Sequence, residues 1–208
     1  MKPSISNWNE RYADADEYLF GTAPNAFLER QKARFTPGMK VLAVCDGEGR
    51  NGVWMAELGC EVWSVDAAPN ASDKARRLAA ERGVSNRMHI STHDMMLWDW
   101  KAQQYDAVVG IFFQFANPKM RTVLFQGMQD ATKPGGLIVL EGYGLKQLEF
   151  KTGGPKDAEN LYTIPLLREE FSNMQIEFIE EYDASLSEGA RHQGMSALVD
   201  LVATKPLD

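Results

Sequence analysis

The sequence predicts an α/β fold, a doubly wound, mostly parallel seven-stranded sheet with an antiparallel edge strand, and three observations predict it. Apolar runs rich in β-branched residues alternate with helix-forming runs from residue 40 onward. The first such run, VLAVCDGEGRN from Val41 to Asn51, breaks into an acid and two alternate glycines before the helix-like VWMAELG. The second, EVWSVD from Glu61 to Asp66, ends in a carboxylate 17 positions after Gly49, where a second strand presents an acid to ribose hydroxyls. Gly47 and Gly49 fit a strand that turns into a helix beneath a ligand, where a Cβ would clash or resist a positive φ.

The elements follow in order. Strands are expected at Lys40 to Val44, Glu61 to Val65, Met88 to Ser91, Ala107 to Ile111 and Leu137 to Glu141, with helices in the gaps. The helix after the second strand, roughly Ala71 to Glu81, carries DKARRLAAER and stops before Gly83, a suitable αL cap. Pro118 opens another helix, and Lys133-Pro134-Gly135-Gly136 ends it with a turn into the strand LIVLE. A long loop, GLKQLEFKTGGPKDAEN, precedes a helix near Ile164 to Phe171 and strands around Gln175 to Tyr182 and Ser196 to Ala203. A loop joins these last two, so they are expected to pair antiparallel and to set Ser187 to Met195 on the edge that carries the glycine loop. Residues 1–208 read as one domain, with 1–38 a helical N-terminal segment and 39–208 the core. Aromatic residues in that segment are expected to pack on the sheet, Phe20 and Phe27 foremost.

Composition narrows the function classes. A chain of 208 residues with 44% apolar and 25% charged residues suits one domain with a substantial core. The net charge of −7 repels polyphosphate and no basic patch overrides it, so nucleic acid is not an expected partner. The longest apolar run, Ala107 to Phe113, is far shorter than a membrane span, and MKPSISNWNE lacks the apolar core of a signal peptide, which predicts a cytoplasmic protein. Cys45 and Cys60 lack metal-ligand spacing, so no metal is expected and both read as buried small hydrophobes.

GEGRNG, from Gly47 to Gly52, satisfies the dinucleotide pattern G-x-G-x-x-G, so a small NAD(P)-binding oxidoreductase or sensor is one reading. Asp46 before the first glycine, the lack of room for a substrate domain, and Asp94 at the end of the third strand favour a different adenosine ligand. Asp94 suits the adenine amino group, with Met95 packing the ring, and a solvated strand-end aspartate is the alternative. The fourth strand ends in GIFFQFANP, which brings Phe112, Phe113, Gln114 and Phe115 to the expected centre as an aromatic wall. Glu188, Arg191 and His192 offer an acid, a cation and an imidazole on one loop, either for substrate handling or as a solvated hairpin tip. Lys151 and Lys156 suit an anionic substrate or a solvated loop.

An ordered set of segments extends this reading: WNERYADADEYLFGTAPNAFL, DGEGRNGVWMAELG, VDAAPNASDKARRLAAERG, YDAVVGIFF, KPGGLIVLEGY, TGGPKDAENLYT and SEGARHQG. Together they resemble class I S-adenosylmethionine-dependent methyltransferases with their Rossmann-like fold, in the tellurite-resistance and thiopurine-methyltransferase-like branch. The resemblance implies methyl transfer from S-adenosylmethionine to a small-molecule acceptor, a tellurite- or selenite-type oxyanion or a thiol. It implies that Asp46, Gly47 and Gly49 line the methionine and ribose part of the cofactor, that Asp66 takes the ribose hydroxyls and that Asp94 takes the adenine. Glu48, Asn51, Ala67, Met95 and Phe112 complete the expected shell. Trp8, Arg11, Tyr12 and Tyr18 would form a lid that excludes water, with Arg11 on the methionine carboxylate. Glu188, Arg191 and His192 would handle the acceptor. Ala43 and Cys45 stand where the family has an acid and a glycine. The Asn/Asp-Pro-Pro-aromatic motif of nucleic-acid amino methylases is absent, because Asn117-Pro118 continues with Lys119. A cofactor-binding protein without turnover is a further reading.

Overall fold

The computed structural model describes residues 5–13, 17–190 and 192–207. Its strands are β1 (Lys40–Val44), β2 (Glu61–Asp66), β3 (Met88–Thr92), β4 (Tyr105–Ile111), β5 (Thr132–Tyr143), β6 (Gln175–Glu188) and β7 (His192–Thr204). They form one seven-stranded mixed sheet in the order β3-β2-β1-β4-β5-β7-β6, the doubly wound α/β architecture expected. The helices are α1 (Ile5–Arg11), α2 (Ala26–Arg30), α3 (Arg50–Glu57), α4 (Pro69–Glu81), α5 (Pro118–Ala131), α6 (Gln147–Phe150) and α7 (Ile164–Glu170). Packing groups the chain into two compact units, Met1–Trp98 with Glu188–Arg191, and Asp99–Ser187 with His192–Asp208. Residues 1–38 fall in the unit that contains β1, β2 and β3.

In the first unit the three strands run parallel, with Val44 opposite Val65 and Asp66 opposite Thr92, so the three carboxyl ends lie side by side. α4 buries Ala71, Ala75 and Leu78, spaced i, i+4 and i+7, and ends at Gly83, whose φ of +69° suits glycine. Its Ala68 cap supplies no side-chain bond. The orphan N–H of Asn70 instead donates to Asn9 Oδ1 at 2.8 Å, and Asn70 Nδ2 returns a bond to Asn9 O at 2.9 Å. α2 is capped by Asn25, which accepts from Leu28 N–H at 2.9 Å.

In the second unit β4 and β5 are parallel and β5 and β7 antiparallel, with Tyr143 opposite Leu198. Three expectations are corrected there. Lys133-Pro134-Gly135-Gly136 is an irregular stretch within β5 rather than a turn before it: Tyr105 pairs with Thr132 and Ala107 with Leu137, so five steps of β5 span two of β4. The long loop after β5 contains α6, where Gln147 Oε1 accepts from Ala197 N–H at 2.9 Å and fastens the segment to β7. β6 and β7 are 14 and 13 residues long, so only residues 189–191 separate them and most of Ser187 to Met195 is strand. Antiparallel pairing continues because successive cross-strand pairs cost little entropy once a hairpin has formed.

Candidate functional site

In the first unit the site is built on the β1–α3 turn. Cys45 follows β1 with a φ of +53°, and Gly47 and Gly49 have φ of +59° and +84°. A left-handed cysteine is strained backbone, and such strain concentrates where a loop is shaped for a ligand. Each glycine has its own cause. A Cβ on Gly47 would stand 3.1 Å from the Tyr12 hydroxyl, one on Gly49 would strike Ala75 of α4 at 2.6 Å, and one on Gly52 would meet Asp46 Oδ2 at 2.4 Å. Gly49 and Gly52 therefore serve the approach of α4 and the seating of Asp46. Only Gly47 keeps the role of opening one face of the loop.

Asp46 turns inward. Ser64 Oγ donates to its Oδ2 at 2.7 Å and Gly52 N–H to its Oδ1 at 3.2 Å. Burial pushes its pKa from the ordinary 3.8 to about 7, against the hydrogen bonds from Ser64 and Gly52. A carboxyl held above its unfolded value contributes stability that is complete below pH 3.8 and lost as pH rises through about 7. Asp46→Asn is therefore expected to gain stability relative to the parent chain between pH 4.5 and 8, on the order of 3 kcal/mol, read by urea unfolding at both pH values. An unchanged difference would contradict the burial argument.

Asp66 ends β2 and binds the loop directly: Gly47 N–H donates to Oδ2 at 3.0 Å and Ala68 N–H to Oδ1 at 2.9 Å. The Ala67 N–H also favours the ionised form, although burial raises the carboxyl pKa on balance. Each carboxylate oxygen has a further lone pair, so two hydroxyl donors on one ribose fit this group. Asp94 is half-buried and accepts from Met96 N–H at 2.9 Å, capping the short turn that carries buried Met95. His93 N–H donates to Asp66 O at 2.9 Å, which ties the end of β3 to the end of β2.

The N-terminal segment closes on this loop. Trp8, Tyr12 and Phe20 form an aromatic cluster, stacked at 5.8 Å between Trp8 and Tyr12, and packed with Ala68 and Ala71. Burial, then the charges of Asp66 and Glu48, raise the Tyr12 pKa well above its ordinary value, so the hydroxyl stays protonated. Tyr18 donates to Lys74 O at 3.3 Å. Arg11 is exposed and lies 4.6 Å from the Trp8 ring centroid.

Several residues expected to face ligand have structural partners instead. Glu48 is 3% exposed; its Oε1 pairs with Lys74 Nζ at 2.8 Å and its Oε2 accepts from Phe20 N–H at 3.3 Å. Asn51 Oδ1 accepts from Asn25 N–H at 2.9 Å. Glu188, expected to handle acceptor, pairs with Arg50 Nη2 at 2.7 Å and also accepts from Asn25 Nδ2 and Ala26 N–H. Arg191 lies outside the described residues. Lys74, Asn25 and Asn9 were not anticipated. Lys74 had a signal, since it falls on the Ala71–Ala75–Leu78 stripe rather than on the solvated face of α4.

In the second unit, Phe112, Tyr143 and His192 make a group of three rings. Phe112 follows β4 with a φ of +54°. Its centroid is 4.7 Å from Tyr143 and 4.5 Å from His192, the imidazole standing edge-on at 70°. His192 is 9% exposed and Tyr143 3%. Phe113 is buried, and Gln114 is fully engaged with the backbone of Tyr143 and Asn160, so neither forms the expected open wall. Lys151 and Lys156 are exposed. Among the described residues no group of His, Cys, Asp or Glu is arranged to hold a metal ion. No helix there is long and apolar enough to cross a membrane.

Residues 41–136 match the methyltransferase-domain family, a segment running from β1 into β5. A protein-L-isoaspartate O-methyltransferase of Gloeobacter violaceus is 34% identical over 79 residues, which span 38% of this chain and 38% of that relative. Among solved structures, TehB from Haemophilus influenzae superposes with a TM-score of 0.72 at 16% identity, covering 97% of this chain and 66% of TehB. Magnesium protoporphyrin IX methyltransferase of Synechocystis, solved with bound S-adenosylmethionine, superposes with a TM-score of 0.68 at 14% identity, covering 97% and 94%. At such identities the superpositions speak for the fold, and the family match speaks for residues 41–136, under half of the chain. Residues 41–136 are similar to the methyltransferase-domain family, and the chain has the α/β fold of the class I methyltransferases on which it superposes.

Proposed function

We propose that the protein transfers a methyl group from S-adenosylmethionine to a small-molecule acceptor with a soft nucleophilic atom, a thiol or a tellurite- or selenite-type oxyanion. The observation that supports the cofactor reading is the Asp66 carboxylate, held at the end of β2 by Gly47 and Ala68 N–H groups, whose remaining lone pairs would accept from two ribose hydroxyls. Gly47 would pass the amino-acid end, Asp94 and Met95 would take the adenine, and Tyr12 with Trp8 would cover the loop and exclude water. Asp46, Glu48 and Asn51 hold the loop from behind.

The cofactor supplies a methyl carbon on a sulfonium, and a lone pair of the acceptor displaces the thioether in line. Orientation and desolvation can supply roughly 7–11 kcal/mol of barrier reduction, so no strong catalytic group is required for an acceptor that is already an anion. A neutral thiol needs a proton acceptor, and His192, set edge-on to Phe112 and Tyr143, is proposed for that part. The tellurite-type reading rests on the ordered segments that resemble that branch.

Thermal-shift titration tests the cofactor: S-adenosylhomocysteine should raise the melting temperature in a dose-dependent way and NADH should not. The reverse pattern would favour the dinucleotide reading. With a thiol acceptor, His192→Ala is expected to lower kcat at neutral pH by about 10²-fold while leaving S-adenosylhomocysteine affinity within about threefold. Equal rates in the two proteins would remove His192 from the reaction.

A further inference from the structure

The tip of the β6–β7 hairpin does more than reverse the chain. Glu188, the last residue of β6, accepts from Arg50 Nη2 at 2.7 Å, Ala26 N–H at 3.0 Å and Asn25 Nδ2 at 3.1 Å. The two charged side chains of this pair are only 7% and 8% exposed. Beside it, Gly189 has a φ of +74°, and a Cβ there would stand 2.4 Å from Gly21 N and from the Phe20 carbonyl carbon. On the other side of the same stretch, Phe20 N–H donates to Glu48 Oε2 and Asn25 N–H to Asn51 Oδ1. Residues 20–26 are thus gripped between the turn that opens α3 and a hairpin tip more than 160 positions later in the chain.

A hairpin of two long strands needs no buried carboxylate at its tip. A polar, solvated turn closes it at no desolvation cost, whereas an ion pair taken out of water must be compensated by several well-made bonds. Here those bonds all go to residues 25, 26 and 50. The stretch they hold follows the aromatic residues that cover Gly47.

We infer that Glu188 is a positioning residue for the cofactor: through Arg50 and Asn25 it clasps residues 20–26 onto the glycine loop, so cofactor exchange requires the hairpin tip to let go. This rests on the reading that the loop binds S-adenosylmethionine. Gly189 belongs to the same device, because only glycine allows the tip to lie against Phe20 and Gly21.

The test uses the full chain with S-adenosylhomocysteine as probe. Its dissociation rate is measured by stopped-flow displacement, and amide hydrogen exchange is followed by peptide in the free protein. Glu188→Ala and Gly189→Ala are each expected to raise the dissociation rate about tenfold or more. Exchange should rise in peptides covering residues 17–27 and stay unchanged in β1 and β2, a local pattern that general destabilisation would not give. Glu188→Gln retains the shape and an acceptor for Ala26 N–H but loses the charge opposite Arg50; it should fall between, and it carries the test should Glu188→Ala fail to fold. Parent-like release and exchange in the folded variants would overturn the clasp alone. Failure of the parent chain to bind S-adenosylhomocysteine would overturn the functional reading and the proposal together.

Discussion

Asp66→Asn is expected to weaken S-adenosylhomocysteine binding about a hundredfold, measured by calorimetric titration. The carboxylate serves two masters, since it accepts from Gly47 and Ala68 N–H groups and has lone pairs left for two hydroxyl donors. An amide has one acceptor and one donor end. Whichever way it rotates, its NH2 group faces a backbone N–H that needs an acceptor, and one ribose hydroxyl loses its partner as well. A hydrogen bond to a charged group contributes roughly 1.5–3 kcal/mol, so the lost ribose bond accounts for an effect of that order. The unmatched backbone N–H is present in the free protein too, so stability is expected to fall as well, a loss eased because burial disfavours the ionised form of Asp66. Binding within about threefold of the parent would remove Asp66 from the cofactor site.

Lys74→Met should be the most destabilising exchange of one charged residue in the first unit, by about 3–5 kcal/mol in urea unfolding. Lys74 is 4% exposed, and its ammonium donates to Glu48 Oε1 at 2.8 Å and to the Glu17 carbonyl at 2.5 Å. Removing it strands a carboxylate that is itself 3% exposed, between the glycine loop and α4. The double exchange Lys74→Met with Glu48→Gln should recover more than half of the loss, since the amide still accepts from Phe20 N–H and carries no charge. A single-exchange cost below about 1 kcal/mol would mean that the pair contributes little beyond an exposed one.

The strand pattern was legible because the chain writes each buried strand as a short apolar run closed by a turn residue. β1 agrees with its expected span residue for residue, and β2 and β3 each extend one residue further. The ends of β6 and β7 were not legible. The expected β6 stops at Tyr182, before Asp183, Ser185 and Ser187, yet an edge strand places such residues in water without losing its pairing. The glycines divide in the same way. That GEGRNG needs glycine was readable, but the reasons at Gly49 and Gly52 lie with Ala75 and Asp46, which are distant in sequence or hidden behind the turn.

The charged residues mark the boundary most sharply. Periodicity and strand-end chemistry are local properties, so the α/β class, the strand that bends into the glycine loop, and Asp66 and Asp94 at consecutive strand ends could all be read along the chain. Partnership is not local. Glu48 and Glu188 look like ligand or acceptor groups until Lys74 and Arg50 are brought to them, and an ion pair between residues 138 positions apart leaves no trace in the spacing of either. Only the folded chain decides which carboxylates are consumed in holding the site together and which retain lone pairs for a ligand. Desolvation enforces that division, since every charge drawn under the N-terminal segment must find its counterpart there.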